Sequence, residues 1–323
     1  MGTNYDTAAV AAFIADFEAL RLPRERWTHE AHLTAGLWYL WRAGHDGALL
    51  ELRRRIRLHN QSVGTPNTDD SGYHETITQL YVDGIAAHAE ACLDLGFDGA
   101  LASLLASPLN DPKWPLNFYS RDELYSVQAR REWLPSTAWE RAAQPFIRAV
   151  QGSTIGMEVI RRWAKGLRQG AALLDLGCGP GSGRSDVLAE RGAELYALDA
   201  APTFVAAYQT RYPHARVRCE TIEGSDRFDR HFDAVIAWGL LFLLPGESQR
   251  RLIERLAQSL TAGGRLLFTA PAKACAWFDL TTGQPSRSLG ARAYAELLCA
   301  YGLVLQGEYD DDGDNHYYDA RRP

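Results

Sequence analysis

A chain of 323 residues is long enough for two ordinary domains, and its 46% hydrophobic and 23% charged residues are typical of a soluble globular protein, not of a disordered or collagen-like one. Its 34 basic and 40 acidic residues leave a net charge of -6, which disfavours nucleic acid as a partner. The five cysteines form no Cys-x-x-Cys pair, and the sequence has neither a secretory N-terminal pattern nor an apolar run that could span a bilayer. We therefore expect a cytoplasmic protein with reduced thiols and no membrane partner.

The first half of the chain has the apolar periodicity of helices. Four longer helices are predicted, at Ala8–Leu20, His29–Ala43, Ala48–Asn60 and Tyr73–Ala91. Thr28 is placed to cap the second helix, and the turn formers at Gly64–Asn67 separate the third from the fourth. Because strand patterns are scarce here, we predict an all-α domain over residues 1–150.

Histidines gather near two of these predicted helix starts. His29 and His32 are three residues apart, so both imidazoles lie on one face of a helix. His74 and Glu75 open a later helix, and antiparallel packing would bring all four side chains together. Imidazole and carboxylate are ligands for divalent transition metals such as zinc, iron, nickel or manganese, which makes this set a candidate metal site. Two alternatives stay open, namely a buried polar network and a substrate pocket without metal.

The helical half also resembles a family of small bacterial proteins of unknown activity that occur on their own. The matching segments are Trp27–Leu33, Asn67–Thr68, Gly72–Thr78 and Phe118–Arg121. The likeness extends from about Asp16 to Trp139, and it implies an independently folded unit. The family provides no reaction to transfer.

From Ala171 onward, short apolar runs alternate with helical stretches. The apolar runs lie at Ala171–Leu176, Glu194–Leu198, Val217–Cys219, Ala234–Ala237, Arg265–Thr269 and Leu303–Gly307. Such alternation predicts an α/β domain with a doubly wound, mostly parallel sheet over residues 151–323. The residues His316–Ala320 predict one further strand near the end of the chain.

Two of these runs end in a pattern that is typical of ligand binding. The first run carries Asp175 and continues into a turn with Gly177, Gly179 and Gly181, where the missing Cβ atoms let backbone approach a ligand closely. The second run ends in Asp199, at the distance where such folds place a carboxylate on a ribose diol. Ligands in open α/β sheets bind at the carboxyl ends of the strands, so both segments belong to one predicted site.

These segments resemble motifs I and II of class I methyltransferases that depend on S-adenosylmethionine (SAM), and the likeness extends from about Ile155 to Arg322. The resemblance implies a Rossmann-like fold with Asp175 and the three glycines around the methionine end of SAM. It also implies that Asp199 binds the ribose and that Ala200 lies beside the adenine. The remaining cofactor positions that it implies are Ile222, Glu223 and Trp238. The segment that contains Ile222 departs from the family's usual Asp-Ala pair, and Phe232–Trp238 resembles motif IV.

Methyl transfer needs an acceptor that is positioned and desolvated, and a base only when the acceptor loses a proton. We expect the acceptor pocket above the carboxyl ends of the fourth and fifth strands and near the last strands. Its candidate lining residues are Trp238, Phe242, Thr269, Trp277 and Tyr317. His316 is the candidate base, because imidazole titrates near neutral pH. The alternatives are packing roles for the tryptophans and a backbone hydrogen bond for His316.

The leading prediction is a SAM-dependent methyltransferase for a small-molecule acceptor, in which the helical domain shapes the acceptor site or binds a metal. One alternative is a bifunctional fusion of a metal-dependent helical enzyme with a methyltransferase. A second is a non-catalytic regulator that binds SAM. The sequence leaves the acceptor and the oligomeric state open, with a homodimer as one option.

Overall fold

The computed structural model describes residues 7–222, 225 and 227–323. Its internal contacts divide the chain into two units. The helical unit comprises Met1–Ser136 with Ala276–Ser286, and the α/β unit comprises Thr137–Cys275 with Arg287–Pro323. The domain boundary at residue 150, inferred from sequence texture, stays a prediction. Among the described residues, none of the helices combines the length and apolarity that crossing a membrane requires.

The helical unit is built from six α-helices and several short 3-10 turns within its described residues. The helices are α1 (Thr7–Glu18), α2 (His29–Ser62), α3 (Glu75–Glu90), α4 (Gly96–Leu105), α5 (Arg121–Leu124) and α6 (Val127–Arg131). Their apolar faces bury one core that includes Phe17, Leu33, Leu80 and Leu101. The expected helical character of this half is confirmed over these elements.

Helix α2 begins where the sequence predicts, because the side chain of Thr28 accepts a hydrogen bond from the amide of Ala31. Helix α2 contains both of the helices predicted on either side of Gly44, and a kink at Gly44 separates them. At the kink Gly44 has φ 67° and ψ -177°, a conformation that glycine adopts without a Cβ clash.

Within its described residues, the α/β unit contains six more helices. They are α7 (Ala138–Val150), α8 (Met157–Ala164), α9 (Gly183–Glu190), α10 (Pro202–Arg211), α11 (Gly246–Ser259) and α12 (Ala291–Ala300). The strands of the described chain are β1 (Ala172–Leu176), β2 (Glu194–Asp199), β3 (Arg216–Cys219), β4 (Phe232–Ala237), β5 (Leu260–Thr269), β6 (Cys275–Phe278), β7 (Pro285–Ser288), β8 (Val304–Asp310) and β9 (His316–Arg321). All of them belong to the α/β unit except parts of β6 and β7, which fall in the segment Ala276–Ser286 of the helical unit. The pair β6 and β7 forms a separate two-stranded sheet that the sequence pattern did not predict.

Seven strands form one sheet in the order β3-β2-β1-β4-β5-β9-β8. Strands β1 to β5 run parallel, and β9 is antiparallel to both of its neighbours. All five residues of β1 are buried, as expected for a central strand covered by helices on both faces. The predicted doubly wound, mostly parallel, Rossmann-like sheet is therefore confirmed.

The register of the central strands positions the candidate site. Leu176 at the end of β1 pairs with Leu198 of β2, so the turn after β1 lies beside Asp199. Strand order changes direction between β1 and β4, which is the point where open sheets of this kind leave a crevice for a ligand.

Candidate functional site

The turn that follows β1 depends on three glycines in the left-handed backbone region. Gly177, Gly179 and Gly181 have φ values of 66°, 55° and 77°, which side chains with a Cβ rarely adopt. A Cβ on Gly181 would lie 2.7 Å from Cε2 of Tyr212, so this position also lacks space. The amide of Gly177 donates to the carbonyl of Leu198 at 2.8 Å, which fixes the turn against the neighbouring strand.

Asp199 joins the end of β2 to this glycine turn. Its Oδ2 accepts from the amide of Gly179 at 2.9 Å, and its Oδ1 accepts from the amide of Ala201 at 2.9 Å. Burial raises the pKa of Asp199 to about 6, although its backbone donors act in the opposite direction. The two segments that the sequence singled out thus meet through one carboxylate, which is partly exposed.

Asp175 lies beneath the turn and is only 7% exposed. Its Oδ2 accepts from Ser185 Oγ at 2.9 Å and from the Tyr208 hydroxyl at 3.1 Å. Burial raises the pKa of Asp175, while the two hydroxyl donors lower it. Ser185 belongs to α9 and Tyr208 to α10, so this carboxyl group joins two helices to the end of β1.

The other predicted cofactor residues differ in how far they are exposed. Ala200 is exposed directly after Asp199, and Ile222 is half-buried against the core of the α/β unit. Glu223 lies outside the described residues. Trp238 follows β4 and is half-buried.

Trp238 belongs to a polar cluster that the sequence analysis did not foresee. Its Nε1 donates to the hydroxyl of Tyr317 at 2.8 Å, and that hydroxyl donates to Asp311 at 2.8 Å. The guanidinium of Arg184 lies 3.4 Å from the centroid of the Trp238 ring, a cation–π arrangement. Arg184 lies in α9, directly after the glycine turn, and this position is the only sequence feature that could have indicated it. No sequence pattern links Asp311 to Trp238.

Two of the predicted pocket residues are buried, and this corrects their assignment as substrate contacts. Thr269 is 1% exposed, and its hydroxyl accepts from the amide of Gly239 at 2.8 Å. Tyr317 is 0% exposed because its strand, β9, lies inside the sheet between β5 and β8. Phe242 is half-buried against the core, and Trp277 falls in the segment that groups with the helical unit.

The candidate base His316 is held by two carboxylates. Its Nδ1 lies 2.7 Å from Asp310 Oδ1, and its Nε2 lies 2.8 Å from Glu308 Oε2. With both ring nitrogens engaged on strand β8, neither presents a free lone pair to a substrate proton. The arrangement favours a role in joining β8 to β9.

The four predicted metal ligands are not brought together. Both nitrogens of His74 are used at the start of α3, since Nδ1 accepts from the amide of Ile77 and Nε2 donates to the carbonyl of Leu124 at 2.8 Å. The carboxylate of Glu75 binds Arg53 at 2.8 Å and the hydroxyl of Tyr73 at 2.9 Å. These bonds leave neither side chain available for a metal.

His29 and His32 each bond a backbone carbonyl and also line a cavity in the helical unit. Among residues 7–222, 225 and 227–323, no group of three or more histidine, cysteine, aspartate or glutamate side chains is placed to hold a metal ion. The predicted metal cluster at His29, His32, His74 and Glu75 is therefore wrong for the described part of the chain. Of the alternatives, the polar network fits His74 and Glu75, and the pocket fits the other two.

Comparison with known proteins finds a family model that matches the segment around the glycine turn. Residues 173–264 match the family described as a methyltransferase domain. This segment includes the turn after β1, Asp199, and strands β2 to β4. Among curated proteins, none matches the sequence of the chain.

Several solved structures match part of the chain. Magnesium protoporphyrin IX methyltransferase from Synechocystis PCC 6803, with bound SAM, is 20% identical, with 58% of this chain and 90% of that chain covered at a TM-score of 0.44. The 1,6-didemethyltoxoflavin-N1-methyltransferase of Burkholderia thailandensis is 18% identical, with 56% and 84% covered at a TM-score of 0.47. The [4+2]-cyclase SpnF is 18% identical, with 57% and 93% covered at a TM-score of 0.47. These likenesses cover little more than half of the chain and leave its activity to be argued from the site itself.

Proposed function

We propose that residues 151–323 act as a SAM-dependent methyltransferase on a small-molecule acceptor. The observation that carries the proposal is the bond between the Gly179 amide and the Asp199 carboxylate, which joins the glycine turn of β1 to the acidic end of β2. The match of residues 173–264 to a methyltransferase domain supports the same assignment.

The residues present at this edge of the sheet fit SAM. Nothing lies within 4 Å of the position that a Cβ of Gly179 would take, so the turn leaves open space where a ligand would approach backbone. Asp199 provides a partly exposed carboxylate that can accept hydrogen bonds from two ribose hydroxyls. Hydrogen bonds to an ionised carboxylate are stronger than those between neutral groups. When bound, SAM supplies a methyl group on a sulfonium cation.

Within this proposal the residues of the chain have distinct tasks. Asp199 accepts hydrogen bonds from the ribose hydroxyls, and with a pKa of about 6 its carboxyl group is mostly ionised at pH 7. Ala200 and Ile222 flank the adenine, and their small or apolar side chains suit a base face. Asp175 holds helices α9 and α10 against the turn through Ser185 and Tyr208.

The net charge of -6 disfavours a polyanionic acceptor, which supports a small molecule as the methyl acceptor. We assign His316 to positioning β8 and β9, since both of its nitrogens are bound by carboxylates. The proposal therefore describes an enzyme that places its acceptor and excludes water, with no proton-transfer role assigned to a described residue.

Calorimetry with the full-length protein tests the cofactor assignment. We expect Asp199→Ala to weaken SAM binding by about 100-fold, because two hydrogen bonds to a charged acceptor are lost. Asp312→Ala is the matched control, since Asp312 is an exposed aspartate of the same unit. Unchanged affinity in Asp199→Ala would contradict the ribose assignment.

Transfer of a radiolabelled methyl group tests the activity and the acceptor class. The full-length protein is incubated with methyl-labelled SAM and a bacterial extract separated into small-molecule, protein and nucleic-acid fractions. Label in the small-molecule fraction that is lost in Asp199→Ala supports the proposal. Label confined to protein or nucleic acid contradicts the acceptor class, and SAM binding without label in any fraction supports the non-catalytic regulator instead.

A further inference from the structure

The helical unit contains a cavity of about 280 Å³ that the proposed methyl transfer does not use. Its lining residues come mainly from α2 and α3, with one from the segment after α4. They are His29, His32, Leu33, Gly36, Leu52, Ile56, Ile77, Thr78, Tyr81, Val82, Ile85 and Pro112. Every one of these residues belongs to the helical unit, so the cavity is complete within it.

The lining of this cavity is mostly aliphatic and carries no fixed charge among these described residues. Leu33, Val82 and Ile85 are buried at its inner side, whereas Pro112 is exposed and marks an outer edge. Sites for small molecules typically combine such an apolar wall with a few polar groups. A volume of about 280 Å³ is near the lower end of the range for small-molecule sites, which suits a one- or two-ring molecule.

The lining includes the hydroxyl residues Thr78 and Tyr81 and two imidazoles, and backbone carbonyls set the tautomers of the imidazoles. Nε2 of His29 lies 2.9 Å from the carbonyl of Leu109, and Nδ1 of His32 lies 2.7 Å from the carbonyl of Thr28. A carbonyl oxygen only accepts, so in each ring the bonded nitrogen carries the hydrogen. In a neutral imidazole bonded in this way, the second nitrogen is left as an acceptor, which is Nδ1 in His29 and Nε2 in His32.

The environment of His32 keeps its ring uncharged. Burial lowers the pKa of His32 to about 4, with His29 and His59 acting in the same direction and the bond to Thr28 acting against it. The ring also packs against Trp27, with 4.1 Å between the ring centroids and 42° between the ring planes, which restricts its orientation. At neutral pH the imidazole of His32 thus presents a fixed lone pair and not a cation.

We propose that this cavity binds an uncharged, largely apolar small molecule that carries an O–H or N–H donor, as phenols and indoles do. The apolar walls remove the ring system from water, and the imidazole acceptors bond the donor. An anionic ligand finds no positive partner in the lining, and an ammonium ion finds no carboxylate. The inference concerns the helical unit alone and does not rest on the proposed methyltransferase.

Calorimetry on the full-length protein without SAM tests the site with two probes, 2-naphthol and 2-methoxynaphthalene. The probes differ chiefly in the O–H donor, because methylation leaves the rings and removes the hydrogen. We expect 2-naphthol to bind with one-to-one stoichiometry, and 2-methoxynaphthalene to bind about tenfold more weakly through loss of one hydrogen bond. Absence of saturable 2-naphthol binding, or equal affinity for the two probes, would overturn the proposal.

Two kinds of variant locate the binding. His29→Phe and His32→Phe keep a ring and remove an acceptor, so at least one of them is expected to bind the two probes within about twofold of each other. Ile77 is half-buried and lines the cavity, so Ile77→Trp adds bulk to the cavity wall. We expect this variant to weaken the binding of 2-naphthol at least tenfold. Leu50→Trp makes a comparable addition at a side chain that is 65% exposed and outside the cavity, and should leave binding unchanged. If none of the cavity variants changes the affinity for 2-naphthol, the probe binds elsewhere and the proposed site is refuted.

The tautomers are tested independently of any ligand by nitrogen NMR of protein labelled at histidine. We expect His29 to carry its hydrogen on Nε2 and His32 on Nδ1 at pH 7. Addition of 2-naphthol should shift one of the two unprotonated nitrogens, while His88, which lies outside the cavity, serves as the control resonance. Two protonated imidazolium rings at pH 7 would remove the acceptors and contradict the proposal.

Discussion

The glycine turn of the α/β unit and the histidines of the helical unit are both held by hydrogen bonds. The bonded partners are close in sequence in the first case and far apart in the second. Gly179 and Asp199, joined by one hydrogen bond, are 20 residues apart and follow two neighbouring parallel strands. His74 bonds a carbonyl 50 residues away, and His29 bonds one 80 residues away. The first arrangement follows from a local repeat of strand and turn, and the second depends on how the whole helical unit packs.

This difference explains why the sequence predicts that Gly179 and Asp199 lie close together but does not predict the partners of the histidines. The backbone of a parallel sheet dictates that consecutive strand ends meet, so an acidic residue after β2 must lie near the turn after β1. A histidine at a helix start has no such constraint. Backbone carbonyls compete for its hydrogens, and in the helical unit they bind the imidazoles that a metal would need.

The largest effect should come from the buried carboxylate of the helical unit. Arg53→Met removes the nearer of the two arginines that pair with Glu75, which is 7% exposed, and leaves Arg57 at 3.9 Å. We expect the free energy of unfolding to fall by about 3 kcal/mol, because the buried carboxyl group loses its closest cationic partner. Denaturant unfolding measures the change. Arg54→Met is the control, as Arg54 forms a largely exposed pair with Glu51, and it should change stability by under about 1 kcal/mol. Equal effects would mean that Glu75 is not held as described.

The glycine turn should show a smaller but site-specific effect. Gly181→Ala places a Cβ at positive φ and against Tyr212, so we expect a loss of about 2 kcal/mol in unfolding free energy together with weaker SAM binding. Gly170→Ala has the same backbone conformation with nothing within 4 Å, and it should lose about 1 kcal/mol with SAM binding intact. If both variants behaved alike, the close contact with Tyr212 would have no importance for the turn.

The raised pKa of Asp199 predicts that SAM binding depends on pH. The carboxylate form binds the ribose in our proposal, and with a pKa of about 6 its population rises about tenfold from pH 5 to pH 7. The association constant should rise by about the same factor and level off above pH 7. Calorimetry at four pH values measures it, and Asp199→Asn should remove this dependence. A dependence that persists in Asp199→Asn would assign the titration to another group, such as Asp175.

The smallest effect concerns His74 and sharpens the contrast with a metal ligand. His74→Asn retains a short acceptor for the Ile77 amide and loses the bond to Leu124, so a loss of about 1 kcal/mol in unfolding free energy is expected. His74→Ala loses both bonds and should lose about 2 kcal/mol. Treatment of the wild-type protein with a chelator should leave its unfolding midpoint unchanged. A midpoint lowered by the chelator would restore the metal interpretation.

Much of the α/β unit could be predicted from its residues. The apolar runs located β1, β2, β4 and β5, because burial on both faces of a parallel sheet requires nearly continuous apolar strands. The glycines located the turn after β1, and its role in binding a ligand stays a prediction. The small sheet of β6 and β7 was missed. Its strands are four residues each and only partly buried, so they lack the apolar run that marks a central strand.

Side-chain partners were far less predictable than elements. Tyr317 was expected to face a substrate, yet it lies inside the sheet and bonds Trp238 and Asp311. His316 was expected to act as a base, yet two carboxylates of β8 hold it. Both outcomes depend on β9 entering the sheet between β5 and β8, an order that the local sequence does not specify.

The sequence by itself determined the alternation of strands and helices in the second half, the helical character of the first half, and the joined site at Asp175–Gly181 and Asp199. These features follow from apolar periodicity and from backbone conformations that only glycine adopts easily, and both act over a few residues. The tertiary structure alone decided what the histidines do. Each ring nitrogen bonds whichever carbonyl or carboxylate the packed chain brings within reach, and in the helical unit that choice removed a metal site and left a cavity with two imidazoles.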